Sequence, residues 1–159
     1  LYGYQRQEEP KKEASENLVA FIKGYETYCP IPTDDGWGNM TIGYGHVITE
    51  RETYTQLTEL EATQLLMEDL SISEQYVINY SKELGAVWDQ QQFDAFVDIA
   101  FNGGGQMELA MNDIFVNKMD PREAFTYGES YYGLFCRRND EANIFLEGRY
   151  ERTYPEWNY

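Results

Sequence analysis

Leu18, Phe21, Ile22 and Tyr25 fall on one face at helical spacing, with Ser15 or Asn17 as a cap, and predict a helix that ends at Glu26. The stretch Cys29-Pro-Ile-Pro-Thr-Asp-Asp-Gly-Trp-Gly-Asn is rich in helix breakers and turn formers. Residues 40–48 then read as a short strand interrupted by glycines, so a small β-hairpin region is expected near 28–50. A long helix follows over 58–84, with Ala62, Leu65, Leu66, Leu70, Val77 and Leu84 on one face. Asp69 shares that apolar face, and a buried carboxylate needs a partner. In 91–101, Phe93, Phe96, Val97, Ala100 and Phe101 form the cleanest stripe of the chain, with Asp94 and Asp98 outside it and Asn102-Gly-Gly-Gly closing it. Further helices are expected near 107–118, 121–131 and 134–146, which makes the fold class α+β.

The chain has 159 residues, enough for one domain with a substantial core. Residues 1–16 are charged and aperiodic and read as a linker or flexible arm, leaving 17–159 as the folded domain. No apolar run reaches the roughly 18 residues of a membrane span. The opening LYGYQRQEEPKKEASEN lacks the apolar stretch of a signal peptide. Because the chain opens on Leu1, a fragment or processed product is expected, with any export signal or wall-binding module lying outside it. The net charge of −16 argues against nucleic acid, whose binders cluster Lys and Arg. Cys29, Cys136 and His46 fall short of a four-ligand zinc site, so no metal and no cofactor is expected. Each cysteine reads most simply as a free thiol.

The candidate chemistry sits in Glu26-x8-Asp35-x5-Thr41-Ile-Gly-Tyr-Gly-His46. Two carboxylates and a hydroxyl around a glycine-rich turn suit glycosidic cleavage: an acid for the leaving oxygen, a base for water, and a hydroxyl to hold that water. Shelter at a helix end would favour the protonated form of Glu26, whereas Asp35 in an open turn should stay ionised. Taken singly, each residue has a plainer reading: a surface Glu, a turn-shaping Asp, a Thr suited to a strand. Asp34 is one residue short of the spacing, and a calcium loop over Asp34, Asp35 and Asn39 lacks its closing Glu.

This block resembles the active-site segment of phage-type lysozymes, glycoside hydrolase family 24. Gln92-Phe-Asp-Ala-Phe-Val-Asp-Ile-Ala-Phe101-Asn102-Gly-Gly is similar to that family's central helix, and Gly133-Leu134-Phe-Cys-Arg137-Arg138-Asn-Asp-Glu141 to its Gly-Leu-x-x-Arg-Arg-x-x-Glu element. The three matches keep their order over roughly 17–148. The resemblance implies a lysozyme-like fold, with a small lobe carrying the hairpin, a larger helical lobe, and a long helix joining them. It implies Glu26 as general acid, Asp35 and Thr41 as holders of the attacking water, and inversion, for which carboxyls stand about 6.5–9.5 Å apart. Arg137, with Arg138 as the alternate register, would approach Glu26. His46 would be structural, paired with Asp69. Val47, Phe101, Asn102 and, on weaker alignment, Asn112 would fall at sugar-contacting positions; core packing or helix capping explains them equally well. If Arg137 reaches Glu26, Cys29 and Cys136 could approach each other closely enough for a disulfide, though free thiols remain the simpler expectation.

The implied activity is hydrolysis of the β-1,4 bond between N-acetylmuramic acid and N-acetylglucosamine in bacterial peptidoglycan, by a monomer acting at the cell wall. The enzyme would be a phage endolysin or prophage lysis enzyme, made in the host cytoplasm and released, or exported by a segment outside this chain. Two rivals stand beside it. One is a non-catalytic wall-binding or virion structural module on the same fold; the other is a glycosidase acting on a chitin-type polymer. An anionic wall meeting so acidic a protein is unfavourable at low salt and is screened over roughly 8 Å at physiological ionic strength.

Overall fold

A computed structural model describes residues 11–153 of the chain. The expected arm over 1–16 lies mostly outside them. Residues 11–15 rest against the domain, where Lys12 donates to the Trp88 carbonyl and Ser15 Oγ donates to Asp94.

Helix α1 (Glu16–Glu26) starts at Ser15, whose hydroxyl accepts from the Leu18 N–H, and buries Leu18, Phe21 and Ile22. Strands β1 (Cys29–Asp34), β2 (Met40–Gly43) and β3 (His46–Val47) form one antiparallel sheet in that order. Its register pairs Thr41 with Thr33 on one side and Val47 on the other. Helix α2 (Glu59–Leu84) opens with a Thr58/Glu61 capping box and closes on Gly85 in the left-handed region. It leads from the sheet into a helical lobe of α3 (Gln90–Gly103), α4 (Gln106–Phe115), α5 (Pro121–Thr126) and α6 (Tyr132–Glu147). Among the described residues no helix is long and apolar enough to cross a membrane. No disulfide joins Cys29 to Cys136.

Two helices stop earlier than their patterns suggest. Lys118 at φ 56° and Gly128 at φ 74° turn the chain out of helical space, so α4 ends at Phe115 and α5 at Thr126. The core runs from α1 through α2 and α3, where Phe96 packs edge-on against both Phe125 and Phe145. Helix α3 is buried more widely than its apolar stripe. Asp94 and Asp98, outside that stripe, are both fully buried, because partners from other elements satisfy them. Asp94 accepts from Ser15, Gln90 and Tyr150. Asp98 belongs to the site.

Candidate active site

Glu26 is the last residue of α1, and the backbone turns sharply after it. Thr27 has φ 57° and ψ 139°, a conformation that a β-branched residue rarely adopts. Tyr25, one residue earlier, is tied to α6 by donating its hydroxyl to Asp140. These constraints aim Glu26 at α6. Arg137 Nη1 donates to Glu26 Oε1 at 2.7 Å. The other oxygen of Glu26 lies under Gly45, where an added Cβ would stand 2.6 Å from Oε2. Gly45, at φ +79°, therefore supplies both a turn that side chains resist and the space for the carboxylate. Glu26 remains about one-fifth exposed, open to a ligand from one side.

Arg137 is itself almost fully buried and is held from two further sides. Its Nε and Nη2 donate to the two oxygens of Asp98 at 2.9 and 2.8 Å, and its guanidinium lies 4.9 Å from the Tyr25 ring centre. Glu141, one turn along α6, is 3.9 Å from Arg137 Nε and takes Arg138 Nη1 at 2.6 Å. Burial pushes the Glu141 carboxyl well above the usual range, against the pull of Arg138, and the charge on Asp98 adds to the rise. Burial is the largest influence on Asp98 and opposes its charge, but the combined pull of Arg137, Glu141 and Arg138 holds Asp98 down at about 2. Two guanidinium ions thus face the carboxyl groups of Glu26, Asp98 and Glu141 in one cluster at the junction of α1, α3 and α6.

The other residues singled out from sequence have their own settings. Asp35 lies in the tight turn between β1 and β2. Its Oδ1 accepts from the Trp37 and Asn39 N–H groups and its Oδ2 from the Asn39 side chain at 2.9 Å. The Asn39 amide, followed by the two backbone donors, lowers the pKa of this exposed carboxyl. Asp34 accepts only the Gly36 N–H among the described residues. The Thr41 hydroxyl donates to the Thr33 carbonyl at 3.3 Å and so keeps only acceptor capacity for a further partner. Val47 is about half-exposed, on the strand next to Thr41. Phe101 and Asn112 are half-buried, on α3 and α4 respectively. Asn102 is exposed at the end of α3 and accepts from Arg138 through its side-chain oxygen.

His46 Nδ1 is 2.9 Å from Asp69, as the resemblance implies, and its Nε2 is 2.9 Å from Glu52, which sequence reasoning missed. Both ring nitrogens face carboxylates, an arrangement that suits the doubly protonated ring. Burial opposes that charge, but the bonds to Glu52 and Asp69 outweigh it and raise the His46 pKa. Glu52 gave no signal because it sits in an aperiodic loop. Asp98 and Glu141 were equally silent as partners, since only the fold brings α3 against α6.

The phage lysozyme family profile matches residues 23–141, which include Glu26, the sheet and Glu141. An endolysin of Bacillus phage B103 is 30% identical over 155 residues, covering 91% of this chain and 57% of its own length. An endolysin of Lactococcus phage c2 is 28% identical over 144 residues, covering 84% and 60%. The chain thus spans little more than half the length of these relatives. Among solved structures, the muramidase domain of SpmX from Asticaccaulis excentricus superposes with a TM-score of 0.70 at 26% identity, covering 84% of this chain and 97% of that one. An endolysin from Escherichia coli O157:H7 phage FAHEc1 gives a TM-score of 0.73 at 24% identity, covering 91% and 97%, and so shares the fold. The profile alone spans well over half the sequence, and the chain belongs to the phage lysozyme family.

Proposed function

We propose that this domain is a muramidase that hydrolyses the β-1,4 bond between N-acetylmuramic acid and N-acetylglucosamine in peptidoglycan. It would serve as the catalytic part of a phage endolysin or prophage lysis enzyme. The observation that carries this reading is the Glu26–Arg137 bond: an acid in a partly sheltered setting, held by Arg137 on one oxygen. In the proposed reaction Glu26 gives its proton to the leaving oxygen. Arg137 fixes Oε1, so that Oε2 is the oxygen that carries the proton. Asp35 and Thr41 position the attacking water, the first as an ionised acceptor and the second through its remaining lone pairs. The sugar then departs by single displacement with inversion.

Arg137 acts as a positioning residue in this scheme. Val47, Phe101, Asn102 and Asn112 are assigned to sugar contact, and His46 with Asp69 to bracing the β region against α2. The protein would work as a monomer at the cell wall. Its acidity would slow encounter with an anionic wall at low salt and matter less as salt screens it.

The test is incubation of the chain with purified peptidoglycan and, separately, with a polymer of N-acetylglucosamine, reading soluble fragments. Release from peptidoglycan at moderate salt supports the proposal. Release from the N-acetylglucosamine polymer alone moves the activity to chitin-type chains, and binding to the wall without release makes the domain a binding module.

A further inference from the structure

Two large aromatic side chains meet at the edge of the site, and the fold does not need either for its core. Trp37 is 79% exposed and Tyr131 is 61% exposed, yet their rings touch edge to face, with centres 6.3 Å apart and planes at 90°. They come from opposite sides of the site. Trp37 is in the β1–β2 turn, two residues past Asp35, and Tyr131 is the cap of α6, six residues before Arg137. Six helical residues rise about 9 Å, which sets Tyr131 about that far along α6 from the arginine that holds Glu26. Each ring is carried on a pinned backbone: the Trp37 N–H donates to Asp35 at 2.7 Å and the Tyr131 N–H to Glu129 at 3.1 Å. The backbones are held while the rings stay in water.

Resting on the glycan reading above, we propose that Trp37 and Tyr131 form an aromatic clamp that receives one N-acetylhexosamine ring of the glycan strand on its way to Glu26. The apolar faces of such a sugar match indole and phenol rings, and a saturated ring between them hides surface that is now wet. Carbon atoms in contact lie about 3.5–4.0 Å apart, so a sugar sandwiched between two rings needs them roughly 7–8 Å apart. The present edge-to-face arrangement is too close for that. The two rings must turn and separate by an ångström or two, which the small energy of one exposed ring pair permits.

The test compares Trp37→Ala, Trp37→Phe, Tyr131→Ala and the double variant in the full chain. One readout is KM and kcat on solubilised peptidoglycan; the other is quenching of tryptophan emission by the hexamer of N-acetylglucosamine. The clamp predicts that each alanine variant raises KM about tenfold with kcat within about threefold, and that the double variant raises KM beyond either single one but by less than the product, because both rings grip one sugar. Trp37→Phe should recover most of the loss, and hexamer-induced quenching should disappear in Trp37→Ala. A pair that merely latches the free protein shut would behave otherwise. Either single alanine would then lower KM or leave it unchanged, and the double would add nothing, which would overturn the clamp. Unchanged hexamer-induced quenching in Trp37→Ala, or none in the wild type, would overturn it as well. A wild type that releases no fragments from any glycan would count against the hydrolase reading, with the clamp still judged by the quenching titration.

Discussion

Arg137 donates a single hydrogen bond from Nη1 to Glu26, while its other two donor positions are locked onto Asp98. The arginine therefore cannot swing after Glu26, and Glu26 must come to it. Arg137→Lys keeps the charge and loses the fork, so it should cut kcat more than it changes KM. Arg137→Ala strands the buried Asp98 and should cost about 3–5 kcal/mol, measured by urea unfolding at neutral pH. The sign of the pH dependence follows from Asp98. Its folded pKa, about 2, lies below the usual 3.8, so its contribution is present above about pH 4 and is lost as pH falls towards 2. The stability gap between wild type and Arg137→Ala should narrow over that window.

Gly45 leaves room for Glu26 Oε2, and Gly45→Ala would fill it. Glu26 is flexible enough to move away, so the fold should survive with a loss of about 1 kcal/mol from the positive φ. The displaced carboxylate should lose its bond to Arg137. Activity is expected to fall at least 100-fold while the melting temperature drops by only a few degrees. An active Gly45→Ala protein would show that the position of Oε2 is unimportant.

Thr27 holds a strained backbone directly after Glu26. Thr27→Gly should relieve about 1–3 kcal/mol of local cost, partly offset by the entropy of glycine in the unfolded chain. The variant is expected to melt at or above the wild-type temperature and to have a lower kcat, because the turn that aims Glu26 is loosened. Calorimetry and kinetics on one preparation check both halves.

His46 sits between Asp69 and Glu52. Its folded pKa is raised above 6.5, so its contribution to stability is complete below that pH and is lost as pH rises through the raised value. Burial raises Asp69 as well, against the pull of His46, so its titration also favours the folded state towards acid and adds no loss there. Wild-type stability should fall as pH rises through the raised His46 value, and His46→Gln should flatten that fall. Urea unfolding across pH 5–9 reads the difference.

How much of this was legible in the sequence depends on range. Leu18 to Tyr25 and Phe93 to Phe101 declare their helices because burial imposes a period on neighbours in the chain. Asp69 announced a partner by sitting on an apolar face. Asp98 did not, because it borders the stripe of α3, and its burial comes from α6 arriving 39 residues later in the chain. Glu52, the space at Gly45 and the Trp37–Tyr131 contact share that difficulty. Each is a meeting of loops or helix ends, where no periodicity records what lies opposite.

The most direct test of the account is digestion of purified peptidoglycan by the wild type and by Glu26→Gln, with mass spectrometry of the soluble products. Muropeptides ending in reducing N-acetylmuramic acid are expected from the wild type and none from a correctly folded Glu26→Gln protein. Fragments released equally by both would contradict the assignment of Glu26 as the acid. Products ending only in reducing N-acetylglucosamine would contradict the muramidase itself.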